Sequence, residues 1–209
     1  MAEDFKDLDR AASAASQWRR ERPDIDPFPM ELLGRPGNVQ PSPACPKVSE
    51  DPELFHTVTI RQATAGDRAF LFGLAPRLYS VPRPSWHTLD TMKDFQERFM
   101  ASTLEEAAPG SLTLLAVTTE DRALGYVHLI PGRDGVTDEA CGHVAIIGVV
   151  EEAEGTGAAC RLINEAQMWA RRQGYRFLSL DVFADNKRAI HFYEREGFVA
   201  ESIRMVKPL

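Results

Sequence analysis

The sequence predicts an α/β fold, a central mixed and mostly antiparallel sheet flanked by helices, and three observations carry that prediction. Short runs of strand-forming residues recur between helical stripes. One run, His143 to Val150, is almost continuously apolar, as a central strand covered on both faces must be. That strand leads through a glycine-rich turn, Glu154-Gly155-Thr156-Gly157-Ala158-Ala159, into a helix.

The elements follow in order. Thr57-Val58-Thr59-Ile60-Arg61 reads as a strand, and Thr64-Ala65-Gly66-Asp67 precedes the helical spacing of Phe70, Leu71 and Leu74. Thr88 to Glu105 carries Met92, Phe95, Phe99, Met100 and Leu104 on one helical face. Leu112–Val117 and Leu124–Ile130 are strands joined by the turn Thr119-Glu120-Asp121-Arg122, a hairpin. After the central strand, Leu162, Ile163, Ala166 and Ala170 form a helical stripe that Arg171, Arg172 and Gly174 close. Phe177–Phe183 is a further buried strand, Asn186–Glu196 a short helix and Phe198–Val206 a last strand.

Composition bounds the class. The 209 residues are 44% hydrophobic and 26% charged, ordinary for a globular chain and unlike collagen or a disordered tract. The apolar runs fall short of the ~18 residues a membrane helix needs. The start, Met-Ala-Glu-Asp-Phe-Lys-Asp, has no basic and apolar secretory pattern, which predicts a cytoplasmic protein with no membrane partner. Cys45, Cys141 and Cys160 are odd in number and scattered, giving neither a disulfide framework nor metal-ligand spacing. A net charge of −7 argues against nucleic acid as the main partner and leans toward a cationic one.

A boundary falls near Phe55. Residues 8–22 are good helix formers, and Pro36, Pro41, Pro43, Pro46 and Pro52 punctuate the stretch that follows. We expect an N-terminal helical arm and Pro-rich linker over 1–55 and one compact domain over 56–209. Trp18-Arg19-Arg20-Glu21-Arg22-Pro23 through Leu32-Leu33-Gly34-Arg35 resembles the opening of MarR-family regulators, but no winged helix-turn-helix follows. A remnant serving as a docking or dimerising arm, in a possible homodimer, fits this better than a DNA-binding domain.

A glycine turn feeding a helix N-terminus offers unpaired amides and the positive end of the helix dipole, which suit a pyrophosphate. The turn, together with Asn186, Ala189, Tyr193, Gly197 and Phe198 further on, resembles the GCN5-related N-acetyltransferases over roughly 57–207. The resemblance implies that acetyl-CoA is the co-substrate and a small-molecule or peptide amine the acceptor. By the same resemblance, amides of Gly155, Thr156, Gly157, Ala158 and Ala159 hold the pyrophosphate. The pantetheine arm lies beside Val149, Val150 and Glu151, a Val149 amide polarises the thioester carbonyl, and Asn186 bonds the pantetheine.

Tyr193 is the candidate general acid. A phenol of reference pKa about 10 is protonated at neutral pH, and a spacing of seven residues from Asn186 is close to two helical turns, placing both on one side. For the base, His143 has a suitable ordinary pKa, and strict alternation puts it on one strand face with Ala145, Ile147 and Val149. His128, or Glu151 and Glu152 through water, are alternatives, as is a water chain with no single base. Asp134, Asp138 and Glu139 form an acidic loop that would attract an amine. Glu154 departs from the family motif, which has a cation or an amide there, and brings a carboxylate toward the pyrophosphate.

Two other readings use the same residues. A non-catalytic acyl-CoA-binding regulator would keep the cleft alone. A dinucleotide-binding oxidoreductase would use Gly155 and Gly157 with Asp181 on the ribose, but Cys160 replaces the third glycine and acidic residues interrupt the tight turn.

Overall fold

The structure, a computed structural model, describes residues 58–106 and 108–209; the expectations for the arm, its MarR-like segment and the linker lie outside them. Among the described residues five strands form one sheet in the order β1-β2-β3-β4-β5. They are β1 (Thr59–Gln62), β2 (Leu112–Val117), β3 (Ala123–Arg133), β4 (Ala140–Val149) and β5 (Leu178–Leu180). β1 pairs antiparallel with β2, and β2 with β3, through partners such as Ile60 with Ala116 and Leu114 with Val127. The Val150 amide donates to the Leu124 carbonyl at 2.8 Å, tying the end of β4 to the start of β3. β5 runs parallel to β4. Parallel neighbours need a crossover, and the helix between them supplies it.

The helices are α1 (Arg68–Gly73), α2 (Ala75–Tyr79), α3 (Leu89–Met100), α4 (Ala158–Arg172) and α5 (Lys187–Arg195). They cover the sheet on two faces. Ala158, Leu162, Ala166, Trp169 and Ala170 of α4 pack on Leu114, Val127, Leu129 and Val144. On the other face Leu71, Leu74, Ala75 and Met100 pack on Leu115, Val117, Tyr126 and Ile146.

Two predicted elements are divided. The helix expected after Asp67 breaks at Leu74 because Pro76 has no N–H for a continuous ladder, so α2 starts anew. α3 is capped by the Thr88 hydroxyl, which accepts from the Thr91 amide at 3.1 Å, and it ends in a π turn over Ala101–Glu105. Two strand predictions need correction. The run from Phe177 to Phe183 pairs only over Leu178–Leu180, and Phe198–Val206 forms no strand. Val199, Ile203 and Met205 are 89%, 82% and 90% exposed. Strand-forming side chains do not make a strand without a partner edge to complete its hydrogen bonds.

Asp134 organises its own turn, accepting from the Val136 and Thr137 amides, while Arg133 pairs with Asp138. Arg61 ties β1 to two turns. Its guanidinium gives the Asp67 carboxylate two bonds of 2.8 Å and reaches Asp121 at 2.6 Å, and Asp67 also accepts from the Thr64 amide. Arg61 thereby holds the Asp67 carboxyl well below the usual range. Asp67→Asn should cost about 1–2 kcal/mol at pH 7, charge-assisted bonds being the stronger kind. A depressed carboxylate stabilises the fold above its unfolded pKa and stops doing so as pH falls. The gap in Tm between wild type and variant should therefore shrink below about pH 4; a constant gap would assign the effect to shape alone.

Candidate functional site

β4 outruns its partner. Pairing with β5 covers Gly142 with Leu178, His143 with Ser179 and Val144 with Leu180, and β4 then continues to Val149 without β5. Its alternation slips at the same place: Val144 belongs to the α4 side, Ala145 and Ile146 both to the opposite side, and Ile147 and Val149 to the α4 side again. The expected common face of His143, Ala145, Ile147 and Val149 therefore breaks after Ala145. A strand that shifts phase where its neighbour departs opens a cleft in the sheet. Successive amides of an extended chain point opposite ways. Since the Val150 amide donates to β3, the Val149 amide faces the side β5 has left.

Gly125 lets this edge form. A Cβ there would stand 2.5 Å from the Gly148 carbonyl oxygen and 2.9 Å from the Val149 Cα, so one strand would have to move. We expect Gly125→Ala to cost about 1–3 kcal/mol, as overpacking does, read as a lower midpoint in denaturant titration. Gly73→Ala, where nothing lies within 4 Å, is the control.

The turn after β4 is built for close approach. Val150 stays extended, a 3-10 turn covers Glu151–Ala153, and Gly155 and Gly157 have φ of 77° and 84°, which favour glycine. Extension thus ends at Val150, before Glu151. Thr156 is 4% exposed and its hydroxyl donates to the Ala153 carbonyl at 2.7 Å. The Thr156 amide donates to the same carbonyl at 3.3 Å and the Ala158 amide to the Thr156 hydroxyl at 3.4 Å, long bonds within the turn. Gly155, Gly157 and Ala159 carry the other amides of the turn. They stand at the N-terminus of α4, whose N-cap Gly157 has no side-chain cap.

Glu154 does not stand there as a bare charge. It binds the guanidinium of Arg77 from α2 and that of Arg188 from α5, the latter at 2.6 Å. Arg188, then Arg77, hold its carboxyl below the usual range. This cluster brings the glycine turn to the start of α5. There the Asn186 side-chain oxygen caps the helix, accepting from the Ala189 amide at 3.3 Å, which leaves the side-chain nitrogen to donate. Tyr193, two turns on, is half-buried between the rings of Phe192 and Phe198, with centroids at 5.3 and 5.8 Å. Burial pushes its phenol up to about 12, so the proton stays on at neutral pH.

His143 lies at the root of the cleft. Leu178 and Leu180 face α4, so Ser179 and its partner His143 face the other side. Nδ1 of His143 lies 3.0 Å from the Ser179 hydroxyl, and Nε2 lies 3.9 Å from the fully exposed Asp181 carboxylate. Burial lowers its pKa and Asp181 opposes this, so the ring is neutral at pH 7. No hydrogen bond joins it to Tyr193. His128 is sealed at 1% exposure against Thr113 and cannot meet an acceptor. The sequence reading missed Ser179, Arg77 and Arg188, whose partners are far away in the chain. It also missed a depression of about 410 Å³ lined by Pro82, Arg83, Pro84, Ser85, His87 and Thr88. The His87 ring stands 6.1 Å from that of Phe183, bringing this loop to the chain that leaves β5.

Comparison with known proteins agrees with this geometry. Residues 75–198 match the family described as Acetyltransferase (GNAT) family. A mycothiol acetyltransferase of Geodermatophilus obscurus is 36% identical over 193 residues, 90% of this chain. The chain spans 52% of that relative's length. An acetyl transferase candidate from Pyrococcus furiosus shares the fold with TM-score 0.61 and 25% identity over 73% of this chain and 99% of its own. An aminoglycoside antibiotic 6′-N-acetyltransferase from Acinetobacter baumannii shares it at 0.55 and 17%, over 73% of this chain and 98% of its own.

Proposed function

Because the chain belongs to the acetyltransferase (GNAT) family, we propose that it moves the acetyl group of acetyl-CoA to a primary amine by direct attack in a ternary complex. The observation that carries this is the opening of β4 from β5 beside a turn whose Gly155, Gly157 and Ala159 amides suit phosphate. Bound acetyl-CoA would supply an activated thioester. The Val149 amide would polarise its carbonyl, Val150 and Glu151 would flank its pantetheine arm, and the Asn186 side-chain nitrogen would bond that arm.

His143 is the base in this reading. Its neutral imidazole would take one proton from the incoming ammonium, the amine nitrogen would bond to the carbonyl carbon as the carbon–sulfur bond breaks, and the second proton on that nitrogen would leave through solvent, which can protonate the departing thiolate. Tyr193 donates a hydrogen bond to the sulfur as charge develops on it. A phenol with a pKa near 12 keeps its proton against a thiolate, so its part would be that hydrogen bond, and solvent would supply the proton the sulfur finally takes. The reaction would run in the cytoplasm, with residues 56–209 as the catalytic domain.

The test is thiol release from acetyl-CoA with polyamines, amino acids, aminoglycosides, N-terminal peptides and, following the relative's name, mycothiol and its deacetylated form. A calorimetric titration of CoA runs beside it. Binding with turnover supports the proposal. Binding with no turnover on any of these acceptors would favour the regulator reading, and no binding would overturn both. A parallel doubly wound sheet is absent among the described residues, which removes the main support of the dinucleotide reading.

A further inference from the structure

The family motif supplies positive charge or an amide at the position where this chain has Glu154, yet the structure gathers two guanidinium groups around that carboxylate. Arg77 comes from α2 and Arg188 from the first turn of α5. Both meet Glu154, the residue that opens the glycine turn. The three side chains carry a net charge of about +1, and they stand one residue from the amides that suit a diphosphate. Glu154 is only 25% exposed, whereas Arg188 is 75% exposed and Arg77 40%. The carboxylate is thus the fixed centre, and the guanidinium groups are the ends free to swing.

Resting on the proposed function, we infer that Arg77 and Arg188 are cationic ligands for the phosphates of the cofactor, parked on Glu154 until the cofactor arrives. The positive charge missing from the motif's first position is then supplied from two other elements. Guanidinium groups bind phosphate oxygens at least as readily as carboxylate oxygens, through the same paired N–H geometry. A phosphate bound at the turn would draw both away from a single carboxylate. Glu154 holds them in place in the free protein and competes with the ligand for them.

The test is calorimetry of CoA and 3′-dephospho-CoA at low and high salt with wild type, Arg77→Gln, Arg188→Gln and Glu154→Gln, each checked for a wild-type-like melting transition. Arg77→Gln and Arg188→Gln should each weaken CoA at least fivefold and flatten the salt dependence, as loss of a phosphate-binding cation does. Glu154→Gln should tighten CoA at least twofold, because the competitor is gone. A loss confined to CoA would assign the arginine to the 3′-phosphate, and a loss shared with 3′-dephospho-CoA to the diphosphate. Unchanged affinity in both arginine variants would overturn the inference, and so would weaker binding in Glu154→Gln. Since Arg188 is mostly exposed, Arg188→Gln keeps the test decisive if Arg77→Gln fails to fold. Failure of wild type itself to bind CoA would instead overturn the functional reading beneath.

Discussion

Tyr193→Phe should lower thiol release at least tenfold while CoA binds as tightly as before. The substitution removes one oxygen from a ring that keeps its tilted and edge-on contacts with Phe192 and Phe198, so little else should change. General acids contribute about 10²–10⁴-fold, and a donor limited to hydrogen bonding belongs near the lower end. Equal falls in kcat and kcat/KM would mark an interaction made only in the transition state. A variant with full activity would make Tyr193 a packing residue and leave the departing thiolate to solvent.

The largest stability effect should come from acid acting on His128. This ring is buried on β3 with Nδ1 2.8 Å from the Thr113 hydroxyl and Nε2 without a partner, and burial lowers its pKa to about 4. An unfolded chain holds a histidine near 6.5. Between those values the unfolded chain takes up a proton that the folded one refuses, so stability falls as pH drops from 6.5 and the loss is complete below about 4. The gap corresponds to about 3 kcal/mol. Denaturant titrations at pH 7 and pH 4 should show wild type losing that much more than His128→Gln. The depressed His143 acts in the same direction in both proteins and cancels in the comparison. Parallel losses would mean that water reaches the ring.

The parts of the site legible in the sequence were those whose geometry is local. The turn was readable because Gly155 and Gly157 mark a place where the backbone needs glycine, here a left-handed one, while the cap that Asn186 makes to Ala189 was not read. The central strand was visible because a surface covered on both faces needs apolar residues at nearly every position. What stayed hidden depends on distant partners. Nothing in Ala145-Ile146 signals a slip of phase, because both orientations offer an apolar side chain an apolar neighbour. Glu154 read as repulsive because Arg77, 77 residues earlier, and Arg188, 34 later, have no local signature. Phe198–Val206 misled in the opposite sense, since its side chains favour a strand that no neighbour completes.

The two walls of the cleft differ in stiffness. β4 is held by packing on both faces of the sheet and by β3 along its length. The opposite wall hangs from three residues of β5 and continues into α5, which has no fully buried residue. Segments with few buried contacts open at low free-energy cost. A ligand seated there would lose conformational entropy in ordering one wall while the other gave it a ready-made edge. Affinity at this cleft would then depend on how freely residues 181–195 move before anything binds, and a change far from any ligand atom, made only to stiffen that wall, would act as though it had added a contact.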